Sequence, residues 1–510
     1  MLQCKVITSL EDLEDYKEIW SQILERANND NPFVEYEWIA AWWHFLGKAD
    51  PVEIYVVVHK NTPIAFFPLI HTSRFGIHQF QFIGDDVATY MQVISEREWL
   101  EPAIEYLLDV LTKKYKRLLF ELNGLLESRE SSKVLEKLAI KRQLPYSIFR
   151  VVTPLIAIEE MDHPDKKKKF KKKFKDIIRC ENRFKSLGQL TFQPFEEKYE
   201  DMFQLYNRRW MKKIDTSGFS AGIKMLFFEH LANQKGRGFK VEINKLSFEN
   251  KLIGFTYDIC CRGRRVCYKM AHEPDFHIFG PGRIIERENL LKSKNDNNTL
   301  YDFGSGYEPY KLEWATKLDF TRKFLFSSNG LRERGFRNLL SALYTVKFKI
   351  SSSHQYVEMK RDRFGEVLYF IKNATMKERY EKIVDVCSNI FSIYKIDLYC
   401  LENQSLQPDM NFKEMKIQDI LEHNHREELV PLFFKQYRLY SNNKEEITFL
   451  RNDQFIREES INYMEALPSN STFIKDYDVN NLQEILDMIQ QEGLTIYTAV
   501  HGASYKKEVY

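Results

Sequence analysis

The chain has 510 residues, too many for one compact core, so two to four domains are expected. Its 75 lysines and arginines nearly balance 73 acidic side chains, and a net charge of +2 gives no global field toward nucleic acid or anionic lipid. A composition 44% hydrophobic and 29% charged excludes a disordered chain.

The opening MLQCKVITSLEDLEDY turns acidic where a signal peptide needs an apolar stretch, and no run reaches the ~18 apolar residues that span a bilayer. Residues 10–29 read as a helix, and Asn31-Pro32 separates it from a second, FVEYEWIAAWWHFLG. The run VEIYVVVHKNTPIAFFPLI reads as an antiparallel hairpin turning at residues 60–63. A helix at 98–114 and the strand RLLFEL complete a first α/β domain, 1–160. Residues 161–195 are a basic helical linker running into the first strand of the next domain. Within it KKKKFKKKFK, 166–175, lies on a helix with one apolar stripe (Phe170, Phe174, Ile177, Phe184). That helix is either a solvated linker or a contact for a polyanion or a membrane surface.

Residues 196–335 read as a second α/β domain. Two helices lead into a meander of strands at about 239–247, 252–261 and 265–272, then a helix at 283–294 and a strand ending at Asp302-Phe303-Gly304. A last strand is expected from about Lys311. The hairpin PIAFFPLI and the later LIGFTYDI share a layout, a faint internal duplication at a spacing of nearly 190 residues. Residues 336–510 read as a smaller α/β appendage of unassigned role, with VKFKISSSHQYVEMKR as a strand. The seven cysteines, an odd number without Cys-x-x-Cys spacing, suit a reducing compartment and offer no structural zinc site. Cytoplasm is the expected location.

Chemistry is concentrated in FGPGRII. A glycine-rich turn at a helix start lets backbone amides approach a pyrophosphate, so the amides of Gly280, Gly282, Arg283 and Ile284 are candidates, with the Arg283 guanidinium as a further clamp. No G-x-x-x-x-G-K-S/T, G-x-S-x-G or H-E-x-x-H occurs. His272, Glu273, Asp275 and Asp302 are candidate bases, and Asp302 either binds a substrate amine or fixes the turn after it. Tyr307, Tyr310 and Lys311 are candidates to protonate a leaving group or bind a phosphate. Tyr206, Arg209 and Trp210 lie on a helix that could wall an acceptor groove.

Taken in order, Pro63 to Leu69, FIGDD, the basic helix ending at Gly188, Ile253-Gly254, Pro281-Gly282, and Asp302-Phe303-Gly304-Ser305-Gly306 with Tyr310-Lys311 and Trp314 resemble the CelD-like acyltransferases of the GNAT superfamily, related in fold to the FemAB aminoacyl transferases. The resemblance covers roughly residues 1–320. It lacks the Q/R-x-x-G-x-G/A pattern common in the superfamily. It implies an α/β chain of tandem GNAT-like mixed-sheet domains with the C-terminal α/β appendage, the second domain holding acyl-CoA, acetyl-CoA foremost, and no metal. The splayed strand would be the one around Tyr268 to His272, and the pyrophosphate would meet residues 280–284. The implied reaction is acyl transfer to an amine of a small molecule or amino sugar. The alternatives are a transfer-RNA-dependent aminoacyl transferase and a non-catalytic module with a vacant cleft.

Overall fold

The computed structural model describes residues 1–84, 87–210, 219–220, 222–306, 308–352, 396–401, 413–415, 419, 438–441, 447–453, 455–458, 463–466, 471–477 and 495–501. They fall into two compact units, Met1–Glu273 with Gly280–Tyr369, and Pro274–Phe279 with Phe370–Tyr510.

The first unit begins with β1 (Leu2–Ile7), α1 (Leu10–Glu14), α2 (Lys17–Arg26), α3 (Tyr36–Phe45), β2 (Val52–His59), β3 (Thr62–Arg74), β4 (Ile77–Phe82) and the short β5 (Ile94–Ser95). It continues with α4 (Arg97–Lys114), β6 (Leu118–Leu126), α5 (Glu130–Lys141) and β7 (Tyr146–Ala157). The expected helix over 10–29 is two helices. Ser9 caps α1 by accepting from the Asp12 amide, and the chain turns at residues 15–16 before α2 starts, which lets Leu13 and Trp20 both reach the core.

The basic helix α6 (Pro164–Lys185) then leads to β8 (Leu190–Pro194), α7 (Tyr199–Trp210), α8 (Ile223–Asn233), β9 (Phe239–Phe248), β10 (Lys251–Cys261) and β11 (Arg264–His272). After these come α9 (Pro281–Asn295), β12 (Leu300–Asp302), α10 (Pro309–Trp314), β13 (Lys317–Ser327) and α11 (Leu331–Ser352). The last strand therefore starts at Lys317, not near Lys311. Glu308-Pro309 opens the turn of helix α10 in between, with proline at a position where its missing amide is harmless. Likewise VKFKIS, read as a strand, continues α11, a helix whose earlier turns are tied to the sheet, where Arg337 and Ser341 both reach Ser147.

The duplication is visible as topology. One mixed sheet runs β1-β2-β3-β4-β6-β13-β7-β12-β11-β10-β9-β8, with β5 beside β3. Each half contributes four antiparallel strands and then a parallel pair, β4 with β6 and β11 with β12. The final strands are exchanged: β7 of the first half pairs with β12, and β13 of the second pairs with β6. β7 and β13 pair with each other at the centre, so the sheet continues unbroken past residue 160. The core lies between this sheet and α2–α4, α7 and α8, anchored by fully buried Trp20, Trp38, Phe66 and Tyr257.

α6 shows which face of the lysine-rich segment is committed. Phe170 and Phe174 lie 6.0 Å from the Trp314 ring, and Phe184 stacks on Phe248 at 4.6 Å. The phenylalanines are therefore packed on the protein, and Lys167, Lys168, Lys171, Lys172 and Lys175 face solvent.

The second unit has a six-stranded sheet that includes Ile396–Leu401, Ile447–Asp453, Ser471–Tyr477 and Thr495–His501. The helices expected at residues 378–391 and 482–491 lie outside the described residues; of that expected at 427–440, only the last three are described, and they belong to the strand Arg438–Ser441.

Gly124 in β6 tests the packing at the sheet centre. Its φ is +86°, and a Cβ there would stand 2.7 Å from the Met91 amide nitrogen. Gly124→Ala is expected to lower stability by about 1–3 kcal/mol, measurable by urea unfolding, from left-handed strain and the backbone clash together.

Candidate active site

β11 and β12 pair in parallel only over Arg264↔Leu300, Arg265↔Tyr301 and Val266↔Asp302; then β12 ends and β11 runs on to His272. Along β10 the register slips between Tyr257, opposite Lys269, and Asp258, opposite Cys267, so Tyr268 is an extra residue and β11 bulges there. The bulge falls within the stretch expected to splay. Tyr268 reaches across the gap and donates its hydroxyl to Val87 O at 2.7 Å.

A cavity of about 580 Å³ opens where the strands part. One wall is Val266 to Lys269, the facing wall Phe303 to Ser305, and Val87 to Thr89 close a third side. Thr321 and Lys323 of β13 with Tyr344 and Lys347 of α11 extend it over the sheet centre. Lys269, Lys311, Lys323 and Lys347 all line it, and among the described lining residues there is neither a carboxylate nor an arginine.

Asp302 sits at the vertex of the gap and is fully buried. Its Oδ2 accepts from Arg264 Nε at 2.9 Å and Nη2 at 2.5 Å, and its Oδ1 accepts from the Tyr90 hydroxyl at 2.8 Å and the Gly304 amide at 2.7 Å. Four donors occupy this carboxylate, which fixes the turn after it and does not line the cavity. Ser305 Oγ then lies 2.7 Å from Thr321 Oγ1, and the Gly306 amide donates to Val152 O, so the glycine-serine turn is tied to both central strands.

The other sequence candidates fall in separate places. Lys311 lines the cavity, with its ammonium 3.1 Å from Glu308 Oε2 and donating to Ser305 O at 3.4 Å. Tyr310, on the same helix, is 43% exposed. Glu273 is buried and accepts from Arg208, Nε at 2.8 Å and Nη2 at 2.5 Å. Tyr206 is a core residue packed on Phe219 at 4.9 Å, which takes it out of any groove. Arg209 is half-buried on α7, and Asp275 lies in the 3-10 turn Pro274–Phe279 of the second unit. Tyr307 and the side chain of Trp210 are outside the described residues.

Gly280 adopts the left-handed conformation (φ 61°, ψ 49°) and caps α9, with Pro281 as its first residue. The amides of Arg283 and Ile284 both donate back to Gly280 O, at 2.9 and 3.2 Å, so these two are spent inside the helix. Of the four amide candidates, Gly280 and Gly282 remain. A Cβ on Gly282 would be 3.3 Å from His272 Cδ2, so the strand-end histidine and the helix start form one surface. His272 Nδ1 lies 3.1 Å from Glu273 O, which makes Nδ1 the donor and Nε2 the basic nitrogen of the neutral ring.

Sequence reading missed Glu286, fully enclosed on α9. Burial pushes its carboxyl up to about 8, against a hydrogen bond from Trp314 and the charges of Lys173, Lys311 and Arg283. Cys267 lines the cavity as a neutral group, because burial pushes its thiol far above its ordinary value. Among the described residues no cluster of His, Cys, Asp or Glu could hold a metal ion, and no helix is long and apolar enough to cross a membrane.

Residues 171–312, which carry β8 to β12 and this gap, match the family model for the acetyltransferase (GNAT) domain. They form a GNAT domain. Because the strand order repeats in the first half, the first unit has a tandem GNAT-like fold. Solved structures similar to the chain include a conserved protein of unknown function from Bacteroides thetaiotaomicron (13% identity, TM-score 0.43, covering 64% of this chain and 100% of that one). FemX is similar at 8% identity and TM-score 0.43 (62% and 96% covered), and a tandem GNAT protein from the clavulanic acid biosynthesis pathway at 10% and 0.38 (64% and 98%). No curated protein sequence matches the chain.

Two predictions follow from the buried charges of the GNAT domain. Asp302→Ala leaves Arg264 enclosed without its main partner and is expected to cost about 3–5 kcal/mol, read as a lowered melting temperature. Glu286 holds a proton in the folded chain that the unfolded chain releases near its ordinary carboxyl value. Its contribution is therefore full in acid and lost as pH rises toward about 8. Glu286→Gln should flatten the wild-type fall in stability above about pH 5, a slope on the order of 1.4 kcal/mol per pH unit. Equal slopes in the two proteins would contradict the protonated state.

Proposed function

We propose that the chain is an acyl-CoA-dependent N-acyltransferase whose donor enters the gap between β11 and β12. The observation that carries this reading is the end of strand pairing at Val266↔Asp302 with the Tyr268 bulge just beyond it, opening directly into the cavity. Gly280 and Gly282 at the start of α9 would receive the donor's pyrophosphate, where the helix end carries partial positive charge. His272, against Gly282, stands at that phosphate end and in this reading is a donor contact. The thioester supplies an already activated carbonyl, so the protein has to orient an amine, keep it unprotonated and exclude water. A backbone amide of the bulged strand would face the negative charge that develops on the carbonyl oxygen.

Lysine ammonium groups of the lining would disfavour a positive charge on the acceptor amine.

One observation favours a second donor, an aminoacyl-transfer RNA: the solvent-facing lysines of α6, whose phenylalanines are packed inward and leave a lysine-rich surface. The two readings separate cleanly. Titration calorimetry should show saturable acetyl-CoA binding with a matching rise in melting temperature, and Gly282→Val should weaken it about tenfold or more by filling the space beside His272. Saturable binding of charged transfer RNA with no acetyl-CoA heat would replace the proposed donor.

A further inference from the structure

We infer that the first half of the chain holds a second ligand site, a cavity at the starts of α4 and α5 that takes a phosphoryl-bearing small molecule. It shares no lining residue with the gap between β11 and β12, and it does not depend on the acyltransferase reading.

The cavity measures about 680 Å³. Its walls are the end of α2 with Asn29, the segment from Gln92 to Leu100 that opens α4, and Arg129 to Ser131, which open α5. Side-chain bonds tie these walls together. Arg26 Nε meets Glu96 Oε1 at 2.8 Å, Ser131 Oγ donates to Val93 O at 3.3 Å, and Arg129 pairs with Asp30, next to Asn29.

Two polar side chains of the lining are buried without being spent. Gln92 is 8% exposed, and its amide makes no hydrogen bond among the described residues. Asn29 is 7% exposed; its Oδ1 accepts from the Asn31 amide at 3.0 Å, which leaves its NH2 group without a partner among the described residues. A buried amide that has lost water and gained no partner is costly, and a ligand in the cavity would supply the missing partner.

The helix starts add donors to the same space. Neither N-cap, Glu96 of α4 or Arg129 of α5, makes a side-chain cap bond. The Trp99 amide turns back to Glu96 O, and those of Ser132 and Lys133 to Arg129 O, so the amides of Arg97, Glu98, Glu130 and Ser131 stay unspent among the described residues. The helices run 18 and 12 residues, and each start carries partial positive charge. Arg97 is exposed and has no ion pair among the described residues.

Acceptors are fewer. Glu96 is held by Arg26, Glu130 lies 3.2 Å from the Lys133 ammonium, and Glu98 is exposed. Unspent donors therefore outnumber unspent acceptors, and the ligand that satisfies them is rich in oxygen and negatively charged. These donors come from two helix starts and two side-chain amides on different walls, so they meet oxygens on more than one side. A tetrahedral phosphoryl group presents such oxygens, where a planar carboxylate presents one edge.

The test uses the full chain and inorganic pyrophosphate in titration calorimetry, in an excess of acetyl-CoA that fills the proposed donor gap. Wild type should bind pyrophosphate saturably, with a matching rise in melting temperature. Gln92→Leu should weaken this binding about tenfold or more while the free protein melts no lower than wild type, because the substitution removes a buried amide that has no partner. Arg97→Met, at an exposed position, should weaken it by a smaller factor and serves if the first variant fails to fold. No saturable pyrophosphate binding, equal binding by wild type and both variants, displacement by acetyl-CoA, or tighter binding of citrate than of pyrophosphate each overturns the inference. A chain that binds pyrophosphate as described but gives no acetyl-CoA heat sinks the proposed donor and keeps this site.

Discussion

Two parallel strands can part only if something holds them firmly at the point of parting, and here that is the enclosed ion pair of Arg264 with Asp302. It ties the first paired residue of β11 to the last paired residue of β12, and the same carboxylate anchors the Tyr90 hydroxyl of the first half and the Gly304 amide that starts the turn. Arg264 also approaches Asp30 of the first half at 3.4 Å. A charge pair this deep contributes less through net stability than through geometry, because any arrangement that separates it leaves a charge in a dry interior. The cavity inherits its position from this constraint. The first half has a twin: β4 and β6 end their pairing at Gln81↔Glu121, and Glu121 is likewise held by a cation, Lys323, and a tyrosine hydroxyl, Tyr344.

The fold was legible wherever the cause was local. Alternating strands with Lys60-Asn61 and Glu249-Asn250 at positive φ gave both hairpins, and Gly188 and Pro281 marked real helix boundaries. The extent of α10 and α11 was not, since β-branched and aromatic residues in VKFKIS look strand-like although the segment continues a helix begun at Leu331. The candidate site was half legible. Gly282 with His272 and Lys311 came from motifs, but Lys269, Lys323, Tyr344 and Lys347 share a cavity only because β11, β13 and α11 converge there. Glu286 carries no sequence mark at all, standing in a helix rich in charge whose neighbours Ile284 and Ile285 are buried beside it.

The division of labour within α6 follows from the same competition. Its aromatic residues found partners in Trp314 and Phe248, so the lysines between them were left as a solvated face, with Lys173 the exception: it donates to Glu313 O at 2.6 Å and lies 4.6 Å over the Trp314 ring. The helix that joins the halves is thus fastened along one side and charged along the other. Fastening it also brings Lys173 near Glu286, linking the connector to the interior of the GNAT domain.

Exchange of the final strands has a cost during synthesis. Glu121 and Lys323 meet across 202 positions, so the apolar edge of β6, Leu118 to Leu126, waits for β13 until the second half has been made. Long-range closure of this kind is slow, and an open edge in the meantime invites pairing with another chain. Neither half is a unit that could be cut out and kept. The two halves are committed to fold as a pair, with each completing the other's sheet.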